Sequence, residues 1–184
     1  MALPIEIEVW HGEIAELEVD GIVIPANETL FMTAPIAASV KRHAGDAVER
    51  EAVEQGPVSA GRAIVTSGGT LATPFLIHAV GVGHDLRPDA GRLSEAISAA
   101  LVAADRLDLR RIALAPVGTE RGVFATNDAA RLLLDAVLDH VEQHPGRLES
   151  VVVAVPRSED RAAFHEAIEA LAFRNTPSAR AERG

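Results

Sequence analysis

Val19-Asp20-Gly21-Ile22-Val23-Ile24-Pro25-Ala26-Asn27 is the stretch that decides the fold. The run from Gly21 to Ile24 has no wet face, so it predicts a short strand buried on both sides of a sheet. Pro25-Ala26-Asn27 ends that strand, and Glu28 to Gly45 reads as a turn running into a helix. Open α/β sheets place ligands outside the carboxyl ends of their strands, facing helix N-termini, so a site is expected near Asn27.

The flanking segments repeat this alternation. Ile5 to Trp10 alternates Ile-Glu-Ile-Glu-Val-Trp, the period of a strand with one wet face at a sheet edge. Ile36, Ala37, Val40 and Ala44 recur at helical spacing behind Pro35, which is tolerated in a first turn. Asp46 to Gln55 predicts a second helix, stopped by Gly56-Pro57. Gly61–Ser67 and Phe75–Val80 read as neighbouring strands separated by a Gly68-Gly69-Thr70 turn. Leu93 to Ala104 predicts a helix, and Arg111 to Pro116 a second buried strand that ends in a turn from Val117 to Ala125. Asn127 is expected to cap the next helix, whose stripe is Ala130, Leu133, Val137 and Val141. Val151–Val155 is the last strand, with a helix starting near Ser158 and carrying Phe164, Ile168 and Leu171. The expected class is α/β: one three-layer α/β/α sandwich around a mixed, largely parallel sheet over residues 1–173, with a disordered tail at 174–184.

Composition narrows the chemistry. Aromatics are 3% of the 184 residues against 48% hydrophobic, so the core is aliphatic. A net charge of −10 gives no basic surplus to displace counterions from duplex nucleic acid, which is therefore not an expected partner. With no cysteine, disulfides, thiolate nucleophiles and Cys-based metal sites are excluded. Neither a leader pattern nor an 18-residue apolar run is present, so no membrane association and a cytoplasmic location are expected. His140 and His144, four apart on a helix, have no obvious third ligand and read as surface residues, and His78 reads as structural. No metal and no cofactor is expected.

Five ordered stretches carry a family resemblance. Gly12-Glu13-Ile14 resembles the Gly-Asp-Ile-Thr of macrodomains, and Asp20 to Asn27 resembles their Asp-Ala-Ile-Val-Asn-Pro-Ala-Asn. Gly61-Arg62-Ala63 and Phe75-Leu76-Ile77-His78-Ala79-Val80-Gly81 are similar to two of their strands, and Gly118-Thr119 with Gly122 and Phe124 to their second ligand loop. The resemblance runs from about Ile5 to Leu171 and implies a domain that binds ADP-ribose or a related nucleotide, or an ADP-ribosylated protein. It gives Glu13 the adenine amine, Ile14 the adjoining backbone contact, and Asn27, beside Ala26, the distal ribose and support of hydrolysis. Without the family, Asn27 also reads as an amide capping its own turn, and Glu13 as a solvated turn carboxylate.

The departures fall on the ligand loops. Where macrodomains have a glycine run cradling the diphosphate, this chain has Met32-Thr33-Ala34-Pro35-Ile36; side chains fill space that glycine leaves open, and Pro35 removes a donor. Ala37 stands where many hydrolytic members carry an aspartate, and Ile24 where the family has asparagine, so general-base hydrolysis by that route is not expected. In Gly118-Thr119-Glu120-Arg121-Gly122-Val123-Phe124, Glu120 and Val123 replace glycines. Glu120 either points inward, repelling a diphosphate, or is solvated at a loop tip; Arg121 either pairs with it or reaches a phosphate. The expected ligand-binding residues are Glu13, Ile14, Ala26, Asn27, Thr33, Ala34, Ile36, Ala37 and Gly118 to Phe124. The preferred function is ADP-ribose-type nucleotide binding with weak or no hydrolysis. The alternatives are an ADP-ribosyl or O-acetyl-ADP-ribose hydrolase, and a degenerate macrodomain serving as an interaction module or holding another ligand.

Overall fold

The computed structural model describes residues 3–83, 89–120, 124–144 and 146–174. Six strands form one sheet: β1 (Glu6–His11), β2 (Gly21–Asn27), β3 (Arg62–Ser67), β4 (Phe75–Val82), β5 (Arg111–Leu114) and β6 (Ser150–Val155). Their order is β1-β6-β5-β2-β4-β3. Every pairing is parallel except that of β3 with β4. The alternating strand β1 takes one edge, as its wet face predicts, and the apolar β2 lies inside between β5 and β4.

Successive β2 side chains enter opposite layers, as the period of a strand requires. Ile22 and Ile24 pack with Val40, Ala44 and Val48 of α1 (Pro35–Ala44) and α2 (Asp46–Glu54). Val23 packs on the other face with Leu93, Ile97 and Leu101 of α3 (Ala90–Arg106), Leu133 and Val137 of α4 (Thr126–Gln143), and Phe164 of α5 (Arg161–Arg174). The result is a mixed, mostly parallel α/β/α sandwich whose parallel strands point their carboxyl ends to one edge. Among the described residues no helix is long and apolar enough to cross a membrane.

Two sequence expectations need correcting. Asn127 does not cap α4: the cap is Ala125 and offers no side-chain bond, while Thr126 Oγ1 donates to Asp160 Oδ1 at 3.1 Å. His140 is not on the surface. It is 5% exposed, its Nε2 lies 2.7 Å from Asp105 Oδ2 on α3, and its ring stacks on His144 at 4.9 Å.

His78 is structural. It lies 1% exposed in β4 with Nε2 2.9 Å from Thr66 Oγ1, and burial pushes its pKa down to about 4, against a smaller opposing effect of Glu51. The unfolded chain takes up this proton near pH 6.5 and the folded one does not. Stability from the neutral ring is therefore complete above pH 6.5 and is lost as pH falls toward 4. Denaturant unfolding at pH 7.5 and pH 5.0 is expected to differ by about 2 kcal/mol from this residue alone. His78→Gln should flatten that difference; a wild type equally stable at both pH values would contradict it.

Candidate functional site

The carboxyl ends of β2, β4, β5 and β6 meet two loops, the first from Asn27 to Ala34 and the second described from Ala115 to Glu120 and again from Phe124. Two cavities open there among the described residues. The larger, about 190 Å³, lies between Gly12, Glu13 and Ile14 on one side and Pro35, Ile36, Ser39 and Arg42 of α1 on the other. The smaller, about 60 Å³, is bounded by Pro25 and Ala26, the end of β4, Leu93, Gly118, Glu120 and Phe124.

Glu13 caps a 3-10 turn over Ile14–Glu16 that follows Gly12. Its Oε2 accepts the Ser39 hydroxyl at 2.5 Å, which aims the carboxylate across the larger cavity's rim toward α1. Ile14 is buried beneath it, so an acceptor and an apolar floor stand side by side. That pairing suits a flat heterocycle bearing an exocyclic amine, because the amine needs an acceptor and the ring faces need apolar cover.

Asn27 is turned onto its own loop. Its Oδ1 accepts from Thr29 N at 3.1 Å, Thr29 Oγ1 at 2.7 Å and Leu30 N at 3.0 Å, and its Nδ2 donates to Phe31 O at 3.3 Å. The loop's next donor, Met32 N, goes to Glu49 Oε2 at 2.8 Å, and Thr33 N goes to Phe31 O. Glu49 also takes Lys41 Nζ at 2.6 Å. The Lys41 ammonium, with help from the Met32 amide, holds the Glu49 carboxyl below its ordinary range against the opposing effect of burial. The glycine-free first loop is thus tied by side chains at Thr29, Leu30 and Met32.

Ala37 is 3% exposed in the same apolar cluster as Ile14, Met32 and Ala113, and Ile24 is fully buried there. Neither position presents a proton acceptor to the cleft. In the second loop Gly118 adopts φ +91°, and a Cβ there would sit 2.7 Å from Leu93 Cδ2, so this glycine is needed for backbone shape and room. Thr119 turns inward, its Oγ1 donating to Pro116 O at 2.8 Å. Glu120 points inward too: its Oε1 accepts Ile36 N at 2.7 Å. Arg121, Gly122 and Val123 lie outside the described residues.

Of the expected site residues, the structure gathers Glu13, Ile14 and Ile36 around the larger cavity and Ala26, Gly118, Glu120 and Phe124 around the smaller. Asn27, Thr33, Ala34, Ala37 and Thr119 shape loops and core instead of lining these two cavities. Sequence reasoning missed Ser39, Arg42 and Glu49. Ser39 was readable, since it lies three residues after Ile36 on one helix face; Glu49, which reaches Met32 from the next helix, carried no local signal. Among the described residues no group of three His, Asp or Glu could hold a metal ion.

A three-layer α/β/α domain with a mostly parallel sheet and cavities at its strand ends defines the fold class. The chain belongs to the Macro domain family, whose model matches residues 23–133. It is 37% identical over 167 residues to an uncharacterised protein of Mycobacterium tuberculosis, covering 90% of this chain and 45% of that one. It is 27% identical over 164 residues to the mouse ADP-ribose glycohydrolase MACROD1, covering 88% and 51%. The chain thus spans about half the length of these curated relatives. Its fold matches the Trypanosoma brucei macrodomain in complex with ADP-ribose, with a TM-score of 0.82 at 22% identity, covering 89% of this chain and 69% of that one.

Proposed function

We propose that the protein binds ADP-ribose or a related adenine nucleotide, with the base in the larger cavity, and hydrolyses it weakly or not at all. The observation that carries this is the Glu13 carboxylate, fixed by Ser39 beside buried Ile14 at the mouth of a cavity of about 190 Å³. There Glu13 accepts the exocyclic amine, the Ile14 amide meets a ring nitrogen, and Ile14 and Ile36 cover the ring. The binding of ADP-ribose by structural neighbours supports the ligand class. Against turnover stand the apolar burial of Ala37 and Ile24 and the engagement of the Asn27 amide by its own turn. An ADP-ribosylated protein is the macromolecular partner this reading allows.

Calorimetric and thermal-shift titration with ADP-ribose is expected to show saturable binding, because a ligand that binds only the folded state raises its stability. Glu13→Ala is expected to weaken it about tenfold, the loss of one charge-assisted hydrogen bond. The absence of both heat and thermal stabilisation at millimolar ligand would refute the proposal. A second reading, a degenerate macrodomain acting as an interaction module or holding another ligand, is favoured by one feature: the first loop's donors at Thr29, Leu30 and Met32 are already bonded to side chains.

A further inference from the structure

Helix α1 starts at Pro35, which has no N–H, and its cap Ala34 supplies no side-chain oxygen. The next amide, Ile36, lies at the positive end of the helix and would be an orphan donor there. What answers it is the Glu120 carboxylate, 2.7 Å away and 84 residues further along the chain. Glu120 lines the smaller cavity and Ile36 the larger, so this one bond runs between the two walls.

The consequence follows from charge. A helix N-terminus at a cleft normally favours an anion from the ligand, but here the protein's own carboxylate holds that place. A phosphate approaching Ile36 must displace Glu120 or stand within a few ångströms of it, and two anions in a partly dehydrated cleft repel. An uncharged nucleoside in the larger cavity, against Glu13 and Ile14, meets no such opposition.

Resting on the reading of the larger cavity as a nucleoside pocket, we propose that Glu120 is the specificity-determining residue of the cleft. Its carboxylate substitutes for a ligand anion at the head of α1 and biases binding toward the nucleoside end of a nucleotide and away from its phosphates. The protein favours adenosine relative to ADP-ribose because of this one side chain.

The test is calorimetric titration of adenosine and of ADP-ribose into the full-length wild type, E120Q and E120A. Wild type is expected to bind adenosine at least as tightly as ADP-ribose. E120Q keeps an acceptor for Ile36 but removes the charge, and E120A removes both. The ratio of ADP-ribose to adenosine affinity should rise several-fold in E120Q and about tenfold or more in E120A. Amide hydrogen exchange at Ile36 provides a readout independent of ligand, expected to quicken about tenfold in E120A as its acceptor is lost. Adenosine binding with an unchanged ratio in both variants overturns the role of Glu120 and leaves the nucleoside pocket standing. Unaltered exchange at Ile36 in E120A likewise overturns it. Failure of both ligands to bind any of the three proteins removes the pocket and the role of Glu120 together.

Discussion

Asn27→Ala costs the folded protein about 2 kcal/mol, and Asn27→Asp no more than about 1 kcal/mol. One oxygen of Asn27 accepts from Thr29 N, Thr29 Oγ1 and Leu30 N, so alanine strips both Thr29 donors of this partner and leaves Leu30 N with only the Asn27 main-chain carbonyl, at 3.0 Å. Leu30 raises the stakes. It sits at φ +63°, a conformation that costs a leucine about 1–2 kcal/mol, and its side chain is 1% exposed against Ala52 and Val80. The turn therefore stores strain that the Asn27 bonds and the burial of Leu30 together overcome. Aspartate keeps the Oδ1 acceptor, loses the donor to Phe31 O at 3.3 Å and sets an oxygen toward that carbonyl at an exposed site, which is the cost allotted to it. Denaturant midpoints of the three proteins check the order. A wild-type midpoint for Asn27→Ala would show that the turn holds without its amide.

The result bears on function directly. A loss of binding in Asn27→Ala could come from a collapsed loop alone. Asn27→Asp separates the two roles, because it keeps the turn and lacks the amide donor. Normal ADP-ribose binding by Asn27→Asp would leave Asn27 with the capping role that its bonds describe, whereas lost binding in a stable Asn27→Asp protein would bring the Asn27 side chain to the ligand, through its amide donor or its lack of charge.

Residues whose neighbours are close in sequence were legible, and those answered from far along the chain were not. The run Ile22-Val23-Ile24 declares a strand buried on both sides, and its alternation between the α1–α2 layer and the α3–α5 layer follows from strand geometry alone. Ile5 to Trp10 alternates wet and dry, and β1 is an edge strand. Glu120 was ambiguous because its partner is the backbone of Ile36, and no local pattern links a loop glutamate to an amide 84 residues away. The Asn127 cap failed for a related reason: the α4 start is held from outside by Asp160, and tertiary bonding displaced a local preference. His140 read as exposed because its partner Asp105 belongs to another helix. The missing glycines of the first loop were visible at once. What replaced their service, the side chains of Asn27, Glu49 and Glu120 taking up the loop's amides, belongs to the three-dimensional arrangement.

That displaced cap gives the other large effect. Asp160 lies on the turn after β6 with its side chain only 5% exposed. Its Oδ2 accepts Arg157 Nε at 2.7 Å, and its Oδ1 accepts both an Arg157 terminal nitrogen at 2.9 Å and Thr126 Oγ1 at 3.1 Å. Thr126 opens α4 directly after the second loop, so this carboxylate anchors the loop's outgoing end to the β6–α5 connection. Asp160→Ala is expected to cost about 3 kcal/mol, because a nearly buried acceptor of three bonds is removed while Arg157, half exposed, regains water. Asp160→Asn should cost nearly as much: the guanidinium fork needs two acceptors, and an amide turns one of them into a donor facing a donor. Asparagine as stable as wild type would mean that the bidentate pair contributes nothing and that Thr126 alone holds the turn. Amide exchange over Thr126–Asp128 locates the damage, since a freed α4 start exchanges faster there while the β2 core, buried on both faces, keeps its protection. Weaker ADP-ribose binding by Asp160→Ala, under conditions where it remains folded, would then trace to a loosened second loop, because Asp160 lines neither cavity.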